Sequence, residues 1–510
     1  MTTSTLLRAA IQTAVLCACF TPVTRAADPA LTIYNQDFAV IRETVPLDLH
    51  VGSNTVRFTG ATAHLEPDSV ILRDPAGKRA LAILEQNYRA DPISQDLLLN
   101  LYEGKTIEFM ISLPDGSTHA VAGKVVRSGY VPHYQAMRRY GSQYQSSQMA
   151  MANPSGGGGQ PIIEVDGKLQ FSLPGQPIFP ALGDDTILKP ALDWIIHSSE
   201  SATFDAELSY VTGGMTWNAD YNIVAPESGD LLDLLGWVTL DNQSGKQFDH
   251  AHIKLMAGDV NKLREQGTGV VMAAMGGLGS GNGAPPEVTE RSFEDYHLYS
   301  LPLATTLRDR ETKQVEFLRG SGIPSKRLYV YDGLLVDRNQ YRNADLRQMA
   351  QYGTESNPHV WVMREFVNSE ANHLGMPLPK GRMRFYRRDR DGQLEFTGEN
   401  EIDHTAKDET VRVYTGNAFD ITGDRRQTHY QMQGPHPNGW LDESFEIKLR
   451  NHKKEPATVR VVEHLYRWYN WVITQESDSH RQTDSRTMEY EATLQPDQEK
   501  TITYTAHYTW

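Results

Sequence analysis

The sequence predicts an all-β fold of tandem antiparallel β-sandwich domains, with a small barrel-like hairpin subdomain near the N-terminus. Apolar and charged residues alternate in many short segments, and the alternation is perfect in Phe445–Arg450. This pattern is typical of half-buried antiparallel strands. Turn-forming residues separate the segments at short intervals. The sequence lacks long amphipathic helical patterns, which favours sandwiches over alternating strands and helices.

The first residues have the pattern of a secretory signal. An apolar run, Ala9–Phe20, precedes Thr24-Arg25-Ala26, which fits a signal cleavage site. We therefore expect residues 1–26 to be a signal peptide and the protein to be exported to the periplasm or the cell surface. Leu16-Cys17-Ala18-Cys19 also resembles a lipobox, so a lipid anchor at Cys19 is the alternative.

Composition restricts the classes of partner and cofactor. The chain has 510 residues, a net charge of −15 and two cysteines, both in the predicted signal. The mature chain is then free of cysteine, which excludes disulfides and thiolate metal sites. The acidic balance argues against nucleic acid as a partner, because phosphate binding needs clustered cations. No later apolar run has the length of a transmembrane helix, and no motif indicates a cofactor.

The N-terminal part is predicted to contain two β regions. Residues 28–95 alternate like strands and form an N-terminal β-domain. Residues 96–185 form the small barrel-like subdomain, which begins with a short helix capped by Ser94. Its predicted strand pairs are Ile107–Ile111 with Val121–Val126, and Pro161–Val165 with Leu169–Leu173. Between these pairs, residues 132–160 are rich in Gln, Ser, Tyr and Gly, which predicts a disordered insertion.

Residues 190–510 are predicted to form the main β-sandwich region, with a flexible loop at 267–286 and a last sandwich from about residue 440. Its central stretch is Phe204–Asn261. We expect the large aromatic residues of this stretch, Tyr210, Trp217, Tyr221 and Trp237, to lie in the core. Gly213-Gly214 is expected to mark a bulge or a close approach of the backbone.

Six separated blocks of this region carry a combined pattern: Glu207–Tyr221, Gly236–Asn261, Thr305–Phe317, Asn368–Arg388, Gly398–Lys407 and Asn451–Trp471. Together they resemble bacterial proteins with the domain of unknown function 4139, which are described as mucoidy-inhibitor-like. The resemblance implies a mostly β protein of the cell envelope, without an established reaction or assigned catalytic residues. Some members carry a coiled-coil insertion, where this chain has the hairpins and the Gln- and Gly-rich segment.

Two histidines are candidate metal ligands. His250 and His252 are two residues apart on a predicted strand, so both side chains are expected on one face. A third ligand is not evident from the sequence. The alternative is a pair of ordinary strand histidines beside a turn.

A dense group of aromatic residues is the candidate binding surface. On a strand, Tyr466 and Trp468 would share one face, and Tyr469 and Trp471 the other. One pair would pack in the core, and the other would stack on sugar rings or fill a partner's pocket. The alternative is that the whole group packs in the core or against another domain.

Catalytic motifs are weak throughout the sequence. His197-Ser198 has no nucleophile elbow around it. Asp403-His404 is the one local acid–histidine pair in a family-like block, and a hydrogen-bonded turn is the alternative reading of it. The sequence contains many carboxylates, so Asp220, Glu365 and Glu401 do not stand out as the acid and base of a glycosidase.

The sequence therefore favours an exported cell-envelope protein with a non-catalytic binding or structural role. The expected partner is an envelope protein or a glycan, bound by a strand edge or an aromatic patch. The first alternative is an envelope hydrolase that acts on glycan or peptide. The second is an outer-membrane barrel, suggested by the alternation of Ile502–Trp510 and its aromatic end.

Overall fold

The computed structural model describes residues 27–89, 94–113, 116–129, 160–180, 189–258, 260–262, 288–336, 345–434 and 438–510. The predicted signal with Cys19 lies outside these residues, as do residues 132–159 of the predicted insertion and the loop 267–286. Strands dominate the described residues, so the all-β prediction is confirmed. None of the helices in these ranges is long and apolar enough to cross a membrane.

The N-terminal part contains strands β1 (Ala30–Tyr34), β2 (Phe38–Leu49), β3 (Gly52–Thr59), β4 (Ile71–Arg73) and β5 (Ala82–Arg89), helix α1 (Gln95–Leu101), and strands β6 (Thr106–Ser112), β7 (Thr118–Arg127), β8 (Ile162–Val165), β9 (Lys168–Gln170) and β10 (Gln176–Ile178). The middle part contains β11 (Ala191–Ser198), β12 (Ala202–Gly213), β13 (Met215–Ala225), β14 (Leu231–Asn242), β15 (Phe248–Ala257), β16 (Thr289–Phe293), β17 (Tyr296–Ser300), β18 (Thr305–Leu307), β19 (Glu311–Pro324) and β20 (Lys326–Asp332).

The C-terminal part contains β21 (His359–Val367), β22 (Gly381–Arg388), β23 (Leu394–Ile402), β24 (Thr410–Gln433), β25 (Trp440–Asn451), β26 (Ala457–His464), β27 (Trp471–Glu476), β28 (Arg481–Asp484), β29 (Thr487–Leu494) and β30 (Glu499–Thr509). Short 3-10 helices lie at Pro67–Ser69, Leu346–Gln348 and Glu370–Asn372. Strand β25 buries every second residue, as its alternating sequence predicts.

Five sheets are built from these strands. One has eight strands, in the order β16-β17-β15-β1-β2-β12-β4 with β18 beside β15. The others have the orders β3-β11-β5, β10-β6-β7-β8-β9, β19-β14-β13-β22-β23 and β27-β30-β25-β24-β21-β20-β26-β29-β28. Most pairings are antiparallel, but β1 with β15, β13 with β22, and β20 with β26 are parallel. Each parallel pair joins segments that are distant in the sequence.

The predicted border between residues 28–95 and residues 190–510 is not matched by a break in the sheets. Strand β1 pairs with β15, β2 pairs with β12, and β11 lies between β3 and β5. The two segments therefore build one layered region together. The small subdomain is inserted between them.

The small subdomain contains the predicted helix and hairpins. The backbone N–H of Leu97 donates to the hydroxyl of Ser94 at 3.2 Å, which confirms the predicted cap. Strand β6 pairs with β7, and β8 with β9, as the sequence indicates. Phe109, Val125 and Ile163 form its core. The five strands are ordered in a line, so the sheet is open at β10 and β9.

The largest core lies among four sheets, because Phe366 and Val411 of the nine-stranded sheet also belong to it. Ile41 and Tyr210 come from the eight-stranded sheet, Trp194 from the three-stranded sheet, and Trp217 and Leu240 from the sheet that contains β13 and β14. All of these side chains are buried. Sheets that enclose one apolar core in this way form a sandwich.

Within the central stretch, Tyr210, Trp217 and Tyr221 are buried as predicted. The prediction for Trp237 is wrong, because this residue lies between two buried positions of β14 and its side chain is on the less buried face. At Gly214, with φ of 75°, an added Cβ would lie 2.8 Å from the backbone oxygen of Gln243. The close backbone approach predicted there is confirmed.

The second core lies inside the nine-stranded sheet, which folds over itself. Strands β29 and β30 are not neighbours in the strand order, yet the rings of Tyr490 and Tyr504 are 6.1 Å apart. Val461 and Ile502, also from opposite sides, are fully buried in the same core. The strands of this core begin with β20, which is well before the predicted start of the last sandwich near residue 440.

Candidate anion-binding cleft

A cavity of about 270 Å³ lies where the sheet of β13, β14, β22 and β23 meets the nine-stranded sheet. Phe385, Tyr386 and Arg387 from β22 line one side, and Arg327, Tyr329 and Arg364 from β20 and β21 line the other. Thr415–Asp420 from β24 and Lys453, between β25 and β26, complete the lining. We call this cavity the cleft.

A glycine allows the two sheets to approach each other beside the cleft. Gly398 of β23 has φ of 152°, and an added Cβ would lie 2.0 Å from the backbone oxygen of Thr415. Any larger residue would therefore push β23 away from β24. Thr397 and Thr415, on either side of this contact, both line the cleft. The spacing of the sheets, and so the width of the cleft, depends on Gly398.

Strand β24 bulges at the edge of the cleft. His359 of β21 lies opposite Thr422, whereas Trp361 lies opposite Asn417, so β24 has extra residues between these two points. Phe419 is in this bulge and its side chain is 96% exposed. Bulges are common beside functional sites because they redirect side chains. Here the bulge places an aromatic ring at the mouth of the cleft.

Four cations line the cleft in a chain of net charge −15. They are Arg327, Arg364, Arg387 and Lys453. The Arg364 side chain is only 8% exposed, while those of Lys453 and Arg327 are 20% and 31% exposed. Placing several like charges in a partly buried cavity costs free energy unless anions are close. Asp420 in the lining and Glu455, which pairs with Lys453 at 2.5 Å, balance part of this charge, and the remaining positive charge favours an anionic ligand.

Within the chain, the carboxylate of Asp230 neutralises part of this charge. Arg364 donates to it at 2.6 Å, and Arg327 lies 3.9 Å from the same oxygen. Arg387 instead donates through Nη1 to the backbone oxygens of Pro226 and Glu227, at 2.9 and 3.1 Å. The Nη2 atom of Arg387 is buried and has no hydrogen-bond partner. A buried N–H group without a partner is expensive, so this atom is a hydrogen-bond donor that the described residues leave unused.

Burial and the crowding of positive charge lower the pKa values of two arginines in the cleft. Burial lowers the pKa of Arg364, and the neighbouring charge of Arg327 lowers it further, despite the hydrogen bond to Asp230. Burial and then the charge of Arg327 also lower the pKa of Arg387. Burial opposes the charge on Lys453, but its hydrogen bonds to Glu455 and Tyr329 raise its pKa overall. Arginine stays protonated throughout the ordinary pH range, so the cleft remains cationic.

The aromatic group predicted from the sequence is not a strand. Strand β26 ends at His464 and β27 begins at Trp471, so the expected alternation of Tyr466, Trp468, Tyr469 and Trp471 is wrong. The reason is Arg467, which is 4% exposed and extends inward to bond with Glu443 and with backbone oxygens of residues 346–352. These bonds hold the segment between β26 and β27 against the loop of residues 346–352.

The four aromatic side chains have separate surroundings. Tyr466 stacks on His464, and Trp468 contacts both Tyr469 and the guanidinium of Arg347, which lies 4.5 Å from its ring. Trp471 donates to the backbone oxygen of Ser485 at 2.9 Å. Tyr469 is 66% exposed. Of the four, Tyr469 presents the most ring surface, and a binding role for this group stays a prediction.

His250 and His252 lie on β15, and both are exposed. His250 has φ of 51° and lies at an irregularity of the pairing with β18, whereas His252 pairs in register with Ala30 of β1. Among the described residues, no group of three or more His, Cys, Asp or Glu side chains is placed to hold a metal ion. A metal site at this pair stays a prediction.

The residues considered for hydrolysis do not line the cleft. Asp403 is 96% exposed and lies 3.8 Å from the amine of Lys380. The Nδ1 atom of His404 accepts from the backbone N–H of Lys380 at 3.1 Å. Ser198 donates to the backbone oxygen of Glu200. These contacts are of the kind that stabilise turns and strand ends.

Sequence reasoning missed the cleft because its cations come from distant parts of the chain. Arg327, Arg364, Arg387 and Lys453 lie in four segments that meet only after the parallel pairings of β13 with β22 and β20 with β26. The one local signal was the dense arginine content of 382–390, in which Arg387 lies. That signal does not distinguish Arg387 from its exposed neighbours.

Comparison of the chain with family models, with curated proteins and with solved structures finds no match in any of the three. The resemblance to proteins with the domain of unknown function 4139 therefore stays a prediction.

Proposed function

We propose that this is a non-catalytic binding protein of the cell envelope, and that its cleft binds an anionic ligand. The observation that carries the proposal is the group of four cationic side chains, those of Arg327, Arg364, Arg387 and Lys453, that line one cavity. A bound oxyanion would accept hydrogen bonds from these cationic side chains. It would also balance the charges of Arg327 and Arg364, which share the single carboxylate of Asp230.

Export is the second part of the proposal. It is supported by the signal-like pattern of residues 1–26. Fractionation of cells that express the full chain with a C-terminal tag tests this part. The tagged protein is expected in the periplasmic or surface fraction. Comparison with the Cys19→Ser variant decides between a cleaved signal and a lipid anchor, and recovery in the cytoplasm would contradict export.

Titration of the purified protein with phosphate, sulfate and acetate tests the anion site. Heat of binding is measured by calorimetry at low salt, because screening weakens charge interactions. We expect the unmodified protein to bind these anions. Arg387→Met, which keeps a long side chain but removes the charge and the donors, should lower the affinity at least tenfold.

Arg388→Met is the matched control. Arg388 is the next residue of the same strand and is exposed, so its replacement removes the same charge from the protein outside the cleft. It should leave the affinity within about twofold. Asp230→Asn, which removes the competing carboxylate, should increase the affinity. Equal losses in Arg387→Met and Arg388→Met, or no binding of any anion, would contradict the proposal.

A further inference from the structure

The cleft combines three kinds of surface, of which the cations are only one. Its lining also contains residues with hydrogen-bond acceptors, namely the hydroxyl oxygens of Thr397 and Thr415 and the carboxylate of Asp420. A site for a bare inorganic ion needs donors, and a nearby carboxylate repels such an ion. Acceptors are useful only if the ligand also carries donors. The lining therefore matches an anion with hydroxyl groups.

The third surface is aromatic. Phe419 lies at the mouth of the cleft and is almost fully exposed, and Tyr386 lies in its lining. An exposed phenylalanine on a bulged strand buries apolar area only when something covers it. The apolar face of a ring in the ligand would do so. The cleft is near the small end of the range for ligand pockets, which fits a single ring rather than an extended peptide.

We propose that the cleft binds one acidic sugar residue, with its anionic group at Arg387 and Arg364, its hydroxyls toward Asp420 and the threonines, and its ring against Phe419. This inference rests on the proposed anion site and specifies its ligand. A free sugar and a sugar within a glycan present the same carboxylate and hydroxyls, and the titration distinguishes them.

Calorimetric titration of the full chain with glucuronate, glucose, acetate and phosphate tests the inference. Glucuronate is expected to bind at least tenfold more tightly than acetate or phosphate, and glucose at least tenfold more weakly than glucuronate. A short glucuronate-containing oligosaccharide is titrated beside the monosaccharide. An equal affinity per residue identifies a free or terminal sugar, and a tighter one identifies a site within a glycan chain.

Phe419→Ala separates this inference from the anion site. It should remove the advantage of glucuronate over acetate and leave the affinity for acetate and phosphate unchanged. Phe171→Ala is the matched control, because Phe171 is also strongly exposed but lies in the small subdomain.

Equal binding of glucuronate, acetate and phosphate would overturn the sugar assignment and leave the anion site intact. Tighter binding of a nucleoside monophosphate than of glucuronate, lost in Phe419→Ala, would also overturn it. Absence of binding for every anion would overturn both the sugar assignment and the proposed function.

Discussion

Three asparagines close the ends of strands in the same way. Asn242 ends β14, Asn368 follows β21 and Asn451 ends β25, and all three are fully buried. The amide group of each donates to at least two backbone oxygens, and its own oxygen accepts from a nearby backbone N–H. Buried loops need such partners for their backbone groups. Asparagine supplies donors and an acceptor from one short side chain.

Asn451→Ala should therefore destabilise the second core. The amide donates to the oxygens of Glu455, Leu494 and Gln495, which would all lose this bond. We expect a loss of about 3 kcal/mol of unfolding free energy, measured by urea denaturation. Asn400→Ala is the control, because Asn400 is exposed and its side-chain oxygen accepts from the backbone N–H of the adjacent Glu401. Similar losses in the two variants would contradict the role given to Asn451.

At the scale of elements, one buried arginine holds a whole segment in place. Arg467 pairs with Glu443 at 2.8 Å and donates to the backbone oxygens of Leu346, Met349 and Tyr352. Tyr508 donates to the same carboxylate at 2.9 Å. These bonds join the segment 345–352, which has little regular structure, to the second core.

Arg467→Met should release this segment and leave Glu443 buried without its charged partner. Breaking a buried ion pair on one side costs about 3–5 kcal/mol. Hydrogen exchange should show faster exchange in residues 345–352 than in β25 or β30. Arg426→Met is the control, because Arg426 forms an exposed pair with Glu446 and should change stability by less than about 1 kcal/mol. Unchanged exchange in 345–352 would show that other contacts hold the segment.

The close contact between strands β23 and β24 depends on Gly398. Gly398→Ala should separate the two strands, because its Cβ would overlap the oxygen of Thr415. The cleft would then change width and lose anion affinity, by tenfold or more in the calorimetric titration. Gly392→Ala is the matched control: Gly392 also has positive φ, 86°, but no atom lies within 4 Å of its added Cβ. An equal effect of both variants would point to backbone strain rather than to the contact.

In the whole molecule, features that neighbouring residues determine were predicted from the sequence, whereas features that distant contacts determine were not. The alternation of Phe445–Arg450 and the Ser94 cap are set by neighbouring residues, and both were predicted. The segment after His464 was mispredicted, because the direction of Arg467 depends on Glu443 and on loop oxygens far away in the chain. The cleft depends on parallel pairings between distant strands. No periodicity within a strand encodes which distant strand lies beside it.

The cleft also connects the two large cores. Phe385 lines the cleft and packs in the first core, whereas Ala418 lines the cleft and packs against the second. A ligand held by Arg387 of β22 and Arg364 of β21 therefore contacts both sheets at once. Its binding energy is available only when both sheets are folded, since separation of either one removes part of the site.

Differential scanning calorimetry of the full chain tests this coupling. With ligand at a hundred times its dissociation constant, the unfolding free energy should increase by about 2.7 kcal/mol, and the unfolding of both cores should shift to higher temperature. At the same ligand concentration, Arg388→Met should retain the shift and Arg387→Met, with at least tenfold weaker binding, should lose about half of it or more, because Arg387 lines the cleft and Arg388 does not. A shift confined to one of two separate transitions would show that the ligand contacts one sheet alone, since a ligand that bridges two sheets must stabilise both.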